Sequence, residues 1–198
     1  MLSNTNLTKK LKKIVSANPE IEDILLFGSV VRGKKNPQDI DILILFKVTV
    51  QKSVEYTIRK ILEQYYPTVS IVSKTNKDAL DPAFDVRESI LFEAKSLLSG
   101  RYNSSKYGFN SLGLFRYDFK DWNKLTKTKF YYALNGRGTS SGVISSLGCI
   151  KLSDSLVVVP LHSIESFREF LEFWKLEYKF IPLLLPERLN RKDLLVEV

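Results

Sequence analysis

Between Phe27 and Phe46 the chain reads FGSVVRGKKNPQDIDILILF, with two aspartates one residue apart inside an apolar run. IEDILLF, residues 21–27, is a short apolar strand, and Gly28-Ser29 turns the chain. Residues 39–46 form a second strand, entered through a turn at Pro37. Alternate residues of a strand share a face, with a rise of about 3.3 Å per residue. Asp39 and Asp41 should therefore project from one face about 7 Å apart, and Ile40, Ile42 and Ile44 should point the other way into a core. Two carboxylates at that spacing can hold one or two hard cations. Gly28 permits close backbone approach, Ser29 offers a hydroxyl, and N–H groups of the turn that follows attract anions. Together these parts suit a nucleoside triphosphate with its Mg²⁺, since phosphoryl chemistry needs mainly positioning and charge neutralisation.

The surrounding pattern extends this pair of strands into a domain. Leu7, Leu11, Ile14 and Val15 give residues 6–17 a helical stripe. Val54, Ile58, Ile61, Leu62 and Tyr65 do the same for 51–66, which Pro67 closes. TVSIVSK, 68–74, is a third strand. Residues 86–98 read as a helix carrying Ile90, Leu91, Ala94, Leu97 and Leu98, with Gly100 as its C-cap signal. The order helix, strand, strand, helix, strand, helix predicts an α/β or α+β unit over 1–100, a small mixed sheet with flanking helices. GRYNSSKY, 100–107, has the composition of a linker. Residues 101–198 are expected to form a second small α+β domain. Its elements are a helix in DWNKLTKTKFYYALNG, a Gly/Ser-rich connection GRGTSSGVISSLG and a strand SLVVVPL. A helix capped by Ser163 then runs through Trp174, and a last strand YKFIPLLLP is placed at a sheet edge by Pro182.

Composition narrows the chemistry. His162 and Cys149 are the only histidine and the only cysteine, so histidine relays, Cys-based metal clusters and disulfides are set aside, and a reducing, cytoplasmic setting is expected. The amino-terminal residues lack the apolar core of a secretory signal, and no apolar run reaches the roughly 18–20 residues of a membrane span. The net charge is +8. Residues 101–151 carry nine basic side chains against Asp118 and Asp121, a local +7, which suggests an anionic partner. Lys124, Lys127 and Lys129 are the candidate nucleic-acid contacts. The aromatic residues interleaved through 106–137 suit either base stacking or the core of a small domain with a solvated basic face, and the core is preferred. Arg32, Lys34 and Lys35 suit phosphate contact or a solvated turn equally. GRGTSSG lacks the Gly-Lys-Ser/Thr of a Walker loop.

GSVVRG followed by QDIDILI resembles the nucleotidyltransferase domain of the DNA polymerase β superfamily, in its minimal, antitoxin-like branch. The resemblance covers about residues 5–100, and RESILFEAKSLLSG is similar to the family's closing helix. It implies transfer of a nucleotide, AMP foremost, from ATP or another NTP. Gly28 and Ser29 would lie at the phosphates with Arg32 beside them, and Asp39 and Asp41 would be the catalytic, Mg²⁺-holding carboxylates. The acceptor would be a HEPN-type toxin, or RNA or DNA reached through residues 106–137; homo-oligomerisation is left open. The family usually adds a third carboxylate on the next strand as base and metal ligand. The matching position here is Ser70, or Ser73 if the register is off by one face, and position 38 is Gln where Ser or Thr is common. Asp78, Asp81 and Asp85 could substitute only by folding back. The alternative function is a catalytically weakened nucleotidyltransferase fold serving as a protein- or nucleic-acid-binding module.

Overall fold

The computed structural model describes residues 5–37, 39–120 and 122–189. Gln38, Asp121 and the ends of the chain, which carry part of the expectations above, lie outside the described residues. The chain divides into two compact units, one of residues 1–31 and 35–107 and one of residues 32–34 and 108–198. Among the described residues no helix is long and apolar enough to cross a membrane.

The first unit begins with α1 (Thr5–Ala17), amphipathic as expected, with Leu7 and Leu11 buried. Strands β1 (Ile21–Phe27) and β2 (Ile40–Phe46) pair antiparallel. After α2 (Lys52–Leu62), β3 (Val69–Thr75) returns parallel to β2. A single helical turn α3 (Asn76–Ala79), α4 (Arg87–Glu93) and a two-residue strand β4 (Lys95–Ser96) complete a mixed sheet of order β3-β2-β1-β4. The mixed sheet with flanking helices is the architecture expected from the sequence.

Both faces of this sheet are covered, which is why β1 and β2 are almost continuously apolar. Leu25, Phe27, Leu43 and Leu45 pack with Ala79, Ile90 and Ala94 from α3 and α4. Ile40, Ile42, Ile44 and Phe46 occupy the opposite face and are also buried. The mutually packed α1 and α2 bring Leu7, Leu11, Val54, Ile58 and Leu62 to the core.

Five expectations are corrected here. Asp39 precedes β2 rather than opening it. The second helix stops at Leu62, short of Tyr65. The helix expected over 86–98 ends at Glu93, where Ala94 turns extended (ψ 141°). Asn103 braces that end. Its N–H donates to the Ala94 carbonyl (2.7 Å), just past the helix, and its Nδ2 donates to the Ile90 carbonyl (3.2 Å), which also accepts the Ala94 N–H. Ser96 is meanwhile claimed by the sheet, its Oγ donating to the buried Asp23 carboxylate at 2.7 Å. Gly100 closes the Ser96–Arg101 turn rather than a helix. The supposed linker at 100–107 is likewise built in. Lys106 pairs with Asp23 at 2.9 Å, Asn103 and Ser104 are buried, and Ser104–Tyr107 form a 3₁₀ turn.

The second unit is an antiparallel sheet of order β10-β5-β9-β8. It is built from β5 (Phe109–Tyr117), β8 (Ile150–Ser153), β9 (Leu156–Pro160) and β10 (Tyr178–Pro186). Helix α5 (Lys124–Asn135) starts at Asn123, whose Oδ1 accepts from the Thr126 N–H at 2.9 Å. The Gly/Ser-rich connection is ordered into a hairpin, β6 (Gly136–Arg137) with β7 (Ser140–Ser141), and one helical turn, α6 (Val143–Ser146). Ser163 does stand at the N-cap of α7 (Ile164–Phe173), but its hydroxyl donates to the Leu147 carbonyl instead of capping the helix. Pro182 lies on an edge strand, as expected.

The core of this unit is aromatic. Phe130, fully buried, has its ring 5.3–5.7 Å from those of Phe119, Phe170, Trp174, Tyr117 and Trp122. The rings of the basic window are therefore mainly core, the preferred reading of that window.

Tyr117 is buried in this cluster, and its hydroxyl has no hydrogen-bond partner among the described residues. Burial holds the phenol well above its ordinary range, with Tyr131 and Asp154 adding to the effect. A group whose pKa is raised by folding contributes stability that is intact below its unfolded pKa, about 10 for Tyr, and that fades as pH rises beyond it. Chemical denaturation should therefore show stability falling above about pH 10, and Tyr117→Phe should reduce that fall. At neutral pH the same substitution removes an unsatisfied buried hydroxyl and should be neutral or stabilising by up to about 1 kcal/mol.

Candidate active site

The turn after β1 starts at Gly28, whose φ is +83°. Register places Phe27 opposite Asp41, so the chain leaves β1 beside that carboxylate. A Cβ built on Gly28 would lie 2.5 Å from Asp41 Oδ2. Glycine is required twice over, by the left-handed backbone and by the approach of the acid. Ser29 follows at the head of the turn, which the Val31 N–H closes onto the Gly28 carbonyl at 3.1 Å. Asp39 is exposed and Asp41 half-buried.

Parallel pairing of β2 with β3 sets Ser70 directly beside Asp41, and Ser73 beside Ile44. Ser70 is exposed, on the same face as Asp41. Asp78, Asp81 and Asp85 follow the far end of β3, where Thr75 pairs with Phe46. Five residues along a strand is about 16 Å from Ser70.

The carboxylate that does return to the turn is Glu93, the last residue of α4. It is buried, and its Oε1 accepts the Gly28 N–H at 2.9 Å. Sequence reasoning missed it. The signal was present, because Ile90, Glu93, Ala94 and Leu97 share i, i+3, i+4, i+7 spacing, so an acid occupies an otherwise apolar stripe. The Gly28 N–H is thereby committed to the protein, so anion donors in this turn begin beyond it.

Arg32, with Gly33 and Lys34, groups with the second unit. Its Nε donates to Glu165 Oε1 at 2.7 Å, and its carbonyl accepts the Glu165 N–H at 3.1 Å. Lys34 and Lys35 are exposed. On α5, Lys124 and Lys129 are exposed, whereas the Lys127 ammonium lies 5.8 Å from the centre of the Phe119 ring. Cys149 is buried and, among the described residues, in no disulfide.

Among the described residues no group of three or more His, Cys, Asp or Glu side chains could hold a metal ion. Mg²⁺ commonly keeps several waters and takes only one or two carboxylates together with substrate phosphates. Asp41, an oxygen donor beside the space that Gly28 leaves clear, with the exposed Asp39 two residues earlier in the chain, fits that mode of binding.

Residues 9–97 match the family model described as polymerase beta, nucleotidyltransferase. This stretch is a nucleotidyltransferase-family domain. It contains Gly28, Ser29, Asp39, Asp41, Ser70 and Glu93, and the general nucleotidyltransferase resemblance read from the sequence is shown over residues 9–97. No curated protein gives a significant match to the chain. Three likenesses among solved structures are to toxin–antitoxin proteins. One is a complex with AMP-PNP, 21% identical over 50% of this chain and 78% of that one, TM-score 0.36. A second is a mutant MntA-HpeT complex, 24% identical over 50% and 76%, TM-score 0.35. The third is a tri-AMPylated Shewanella oneidensis HEPN toxin with MNT antitoxin, 18% identical over 54% and 79%, TM-score 0.34. The family assignment rests on the family model alone.

The left-handed backbone at Gly28 makes a sharp test of this turn. Gly28→Ala should cost about 1–3 kcal/mol in chemical denaturation from backbone strain and displace the Asp41 carboxylate. Ser29→Ala, which leaves that backbone free, should stay within about 0.5 kcal/mol of the parent.

Proposed function

We propose that the first unit binds a nucleoside triphosphate with Mg²⁺ and transfers a nucleotide, AMP foremost, to a toxin-like protein of the HEPN type or to RNA. The observation that carries this reading is the approach of Asp41 to Gly28, with Ser29 next in the turn, inside the stretch that matches the nucleotidyltransferase family. Asp39 and Asp41 would hold the Mg²⁺, which supplies charge neutralisation at the triphosphate. The Ser29 hydroxyl and N–H groups beyond Gly28 would seat the phosphates. Asp41, fixed in β2 opposite Phe27, is the rigid half of the pair, and Asp39, exposed just before the strand, is the adjustable half. Arg32 lies three residues beyond Ser29; its commitment to Glu165 through Nε makes it an oriented rather than a freely rotating cation. Exposed Lys124 and Lys129 are the residues to test for an RNA acceptor, through phosphate contact and not through stacking on the buried rings.

Ser70 supports the second reading, a weakened nucleotidyltransferase fold that serves as a binding module. It stands beside Asp41, where a carboxylate would accept the proton of the attacking hydroxyl. Loss of a general base typically costs roughly 10² to 10⁴ in rate.

Two measurements test these readings. MgATP should raise the thermal midpoint of the wild type, by an amount equivalent to about 2.7 kcal/mol at a hundredfold excess over Kd. The Asp39→Asn, Asp41→Asn double variant should fold normally and lose the shift; an equal shift in that variant would sink the assignment. Label from [α-³²P]ATP should pass slowly or not at all to a HEPN-type toxin or to RNA, and Ser70→Asp should raise transfer. Efficient transfer by the wild type with no effect of Ser70→Asp would overturn the assignment of the missing base to position 70. It would leave Asp78, Asp81 and Asp85 to be tested in its place.

A further inference from the structure

Glu93 is placed where a carboxylate costs stability. It is 3% exposed, on a stretch of helix whose neighbours Ile90 and Ala94 belong to an apolar cluster with Phe27 and Leu43. Burying an ionised carboxylate costs several kcal/mol unless it is well bonded. Glu93 is also the last residue of α4, at the negative end of the helix dipole, where an acid is disfavoured. An apolar side chain would pack there at lower cost. What the side chain provides to the turn is an acceptor: the Gly28 N–H donates to Oε1 at 2.9 Å across 65 residues of sequence.

We propose that Glu93 is a positioning residue, an acceptor that pins the Gly28 amide and so seats the Gly28–Ser29 turn against Asp41. Gly28 has the only left-handed backbone between β1 and Val31, and a backbone in that region is held by its surroundings rather than by its own preference. Two side chains flank it, besides the Val31 N–H that closes onto its carbonyl. Asp41 Oδ2 stands against its Cα on one side, and Glu93 takes its N–H on the other. Without Glu93 the peptide between Phe27 and Gly28 is free to rotate, and Ser29 moves with it. The hydrogen bond, and not the charge, is the working element, so an amide at position 93 suffices. The effect on nucleotide binding rests on the function proposed above; the effect on the turn does not.

The test compares wild type, Glu93→Gln, which keeps an acceptor oxygen, and Glu93→Met, which fills the space without one. Amide exchange of Gly28 is read by ¹H–¹⁵N NMR without nucleotide, and MgATP affinity by calorimetry. Gly28 should be protected in wild type and Glu93→Gln. In Glu93→Met it should exchange at least about tenfold faster, the factor expected when a buried N–H loses its acceptor. MgATP affinity should stay within about threefold for Gln and fall about tenfold or more for Met. Unchanged protection of Gly28 in Glu93→Met overturns the proposal, as does a Gln variant as impaired as Met. If Met does not fold, Glu93→Asp, one methylene shorter, replaces it with the same expected loss. If wild type binds no MgATP, the nucleotide reading fails while Gly28 exchange still decides the role of Glu93.

Discussion

Gly28 donates its N–H to a buried acid from α4 and turns its Cα toward a second acid on β2. Much of the first unit serves to make that meeting possible. β2 lies between an antiparallel and a parallel neighbour, so its register is fixed from both sides. The covering of both sheet faces adds a further constraint, since a one-residue slip would exchange Asp41 for a buried isoleucine. The end of α4 is set by Asn103, and Asp23, Ser96 and Lys106 tie the following strand and turn to β1. The carboxylate at position 93 is thus delivered by a helix whose end is closed by a residue ten positions later.

The second unit is organised by a different interaction. Its helices and sheet converge on aromatic rings, with Phe130 at the centre and Phe115 meeting Phe167, Tyr178 and Phe180 at 5.1–5.6 Å. Edge-on and tilted ring pairs combine large apolar burial with directional contact. The positive charge of this region lies outside that core. Some of it stays with half-buried rings, as where Lys127 lies 5.8 Å from the centre of the Phe119 ring and Lys151 5.3 Å from that of Tyr131. Neither a basic window nor an aromatic one defines a binding surface unless both kinds of side chain face solvent together.

The strands and the Gly-Ser and Asp-x-Asp elements were legible because they depend on local rules: apolar runs bounded by turn residues, and glycine where the backbone must turn. The family resemblance left Ser70 and Ser73 open as the matching position on the next strand, and the parallel register places Ser70 beside Asp41. What could not be read depended on partners distant in sequence. Leu97 and Leu98 continue a helical stripe, but Asp23 takes Ser96 for the sheet and Asn103 closes the helix first. Glu93 reads as one more surface acid until Gly28, 65 residues earlier, is placed against it. Arg32 reads as part of its own turn until Glu165 takes its guanidinium, 133 residues away. β5 was missed because its buried alternate positions include Ser111 and Gly113, which give no apolar signal.

Pro182 does more than identify an edge. β10 is nine residues long and pairs with β5 along its whole length, and among the described residues no strand pairs with its other side. A strand of another chain that docked there would need a regular row of N–H donors. Pro182 and Pro186 supply none, and Pro182 interrupts the row near its middle. The exposed edge is therefore a poor template for strand addition, and the proline that costs this sheet nothing in its own pairing protects the chain from edge-to-edge aggregation.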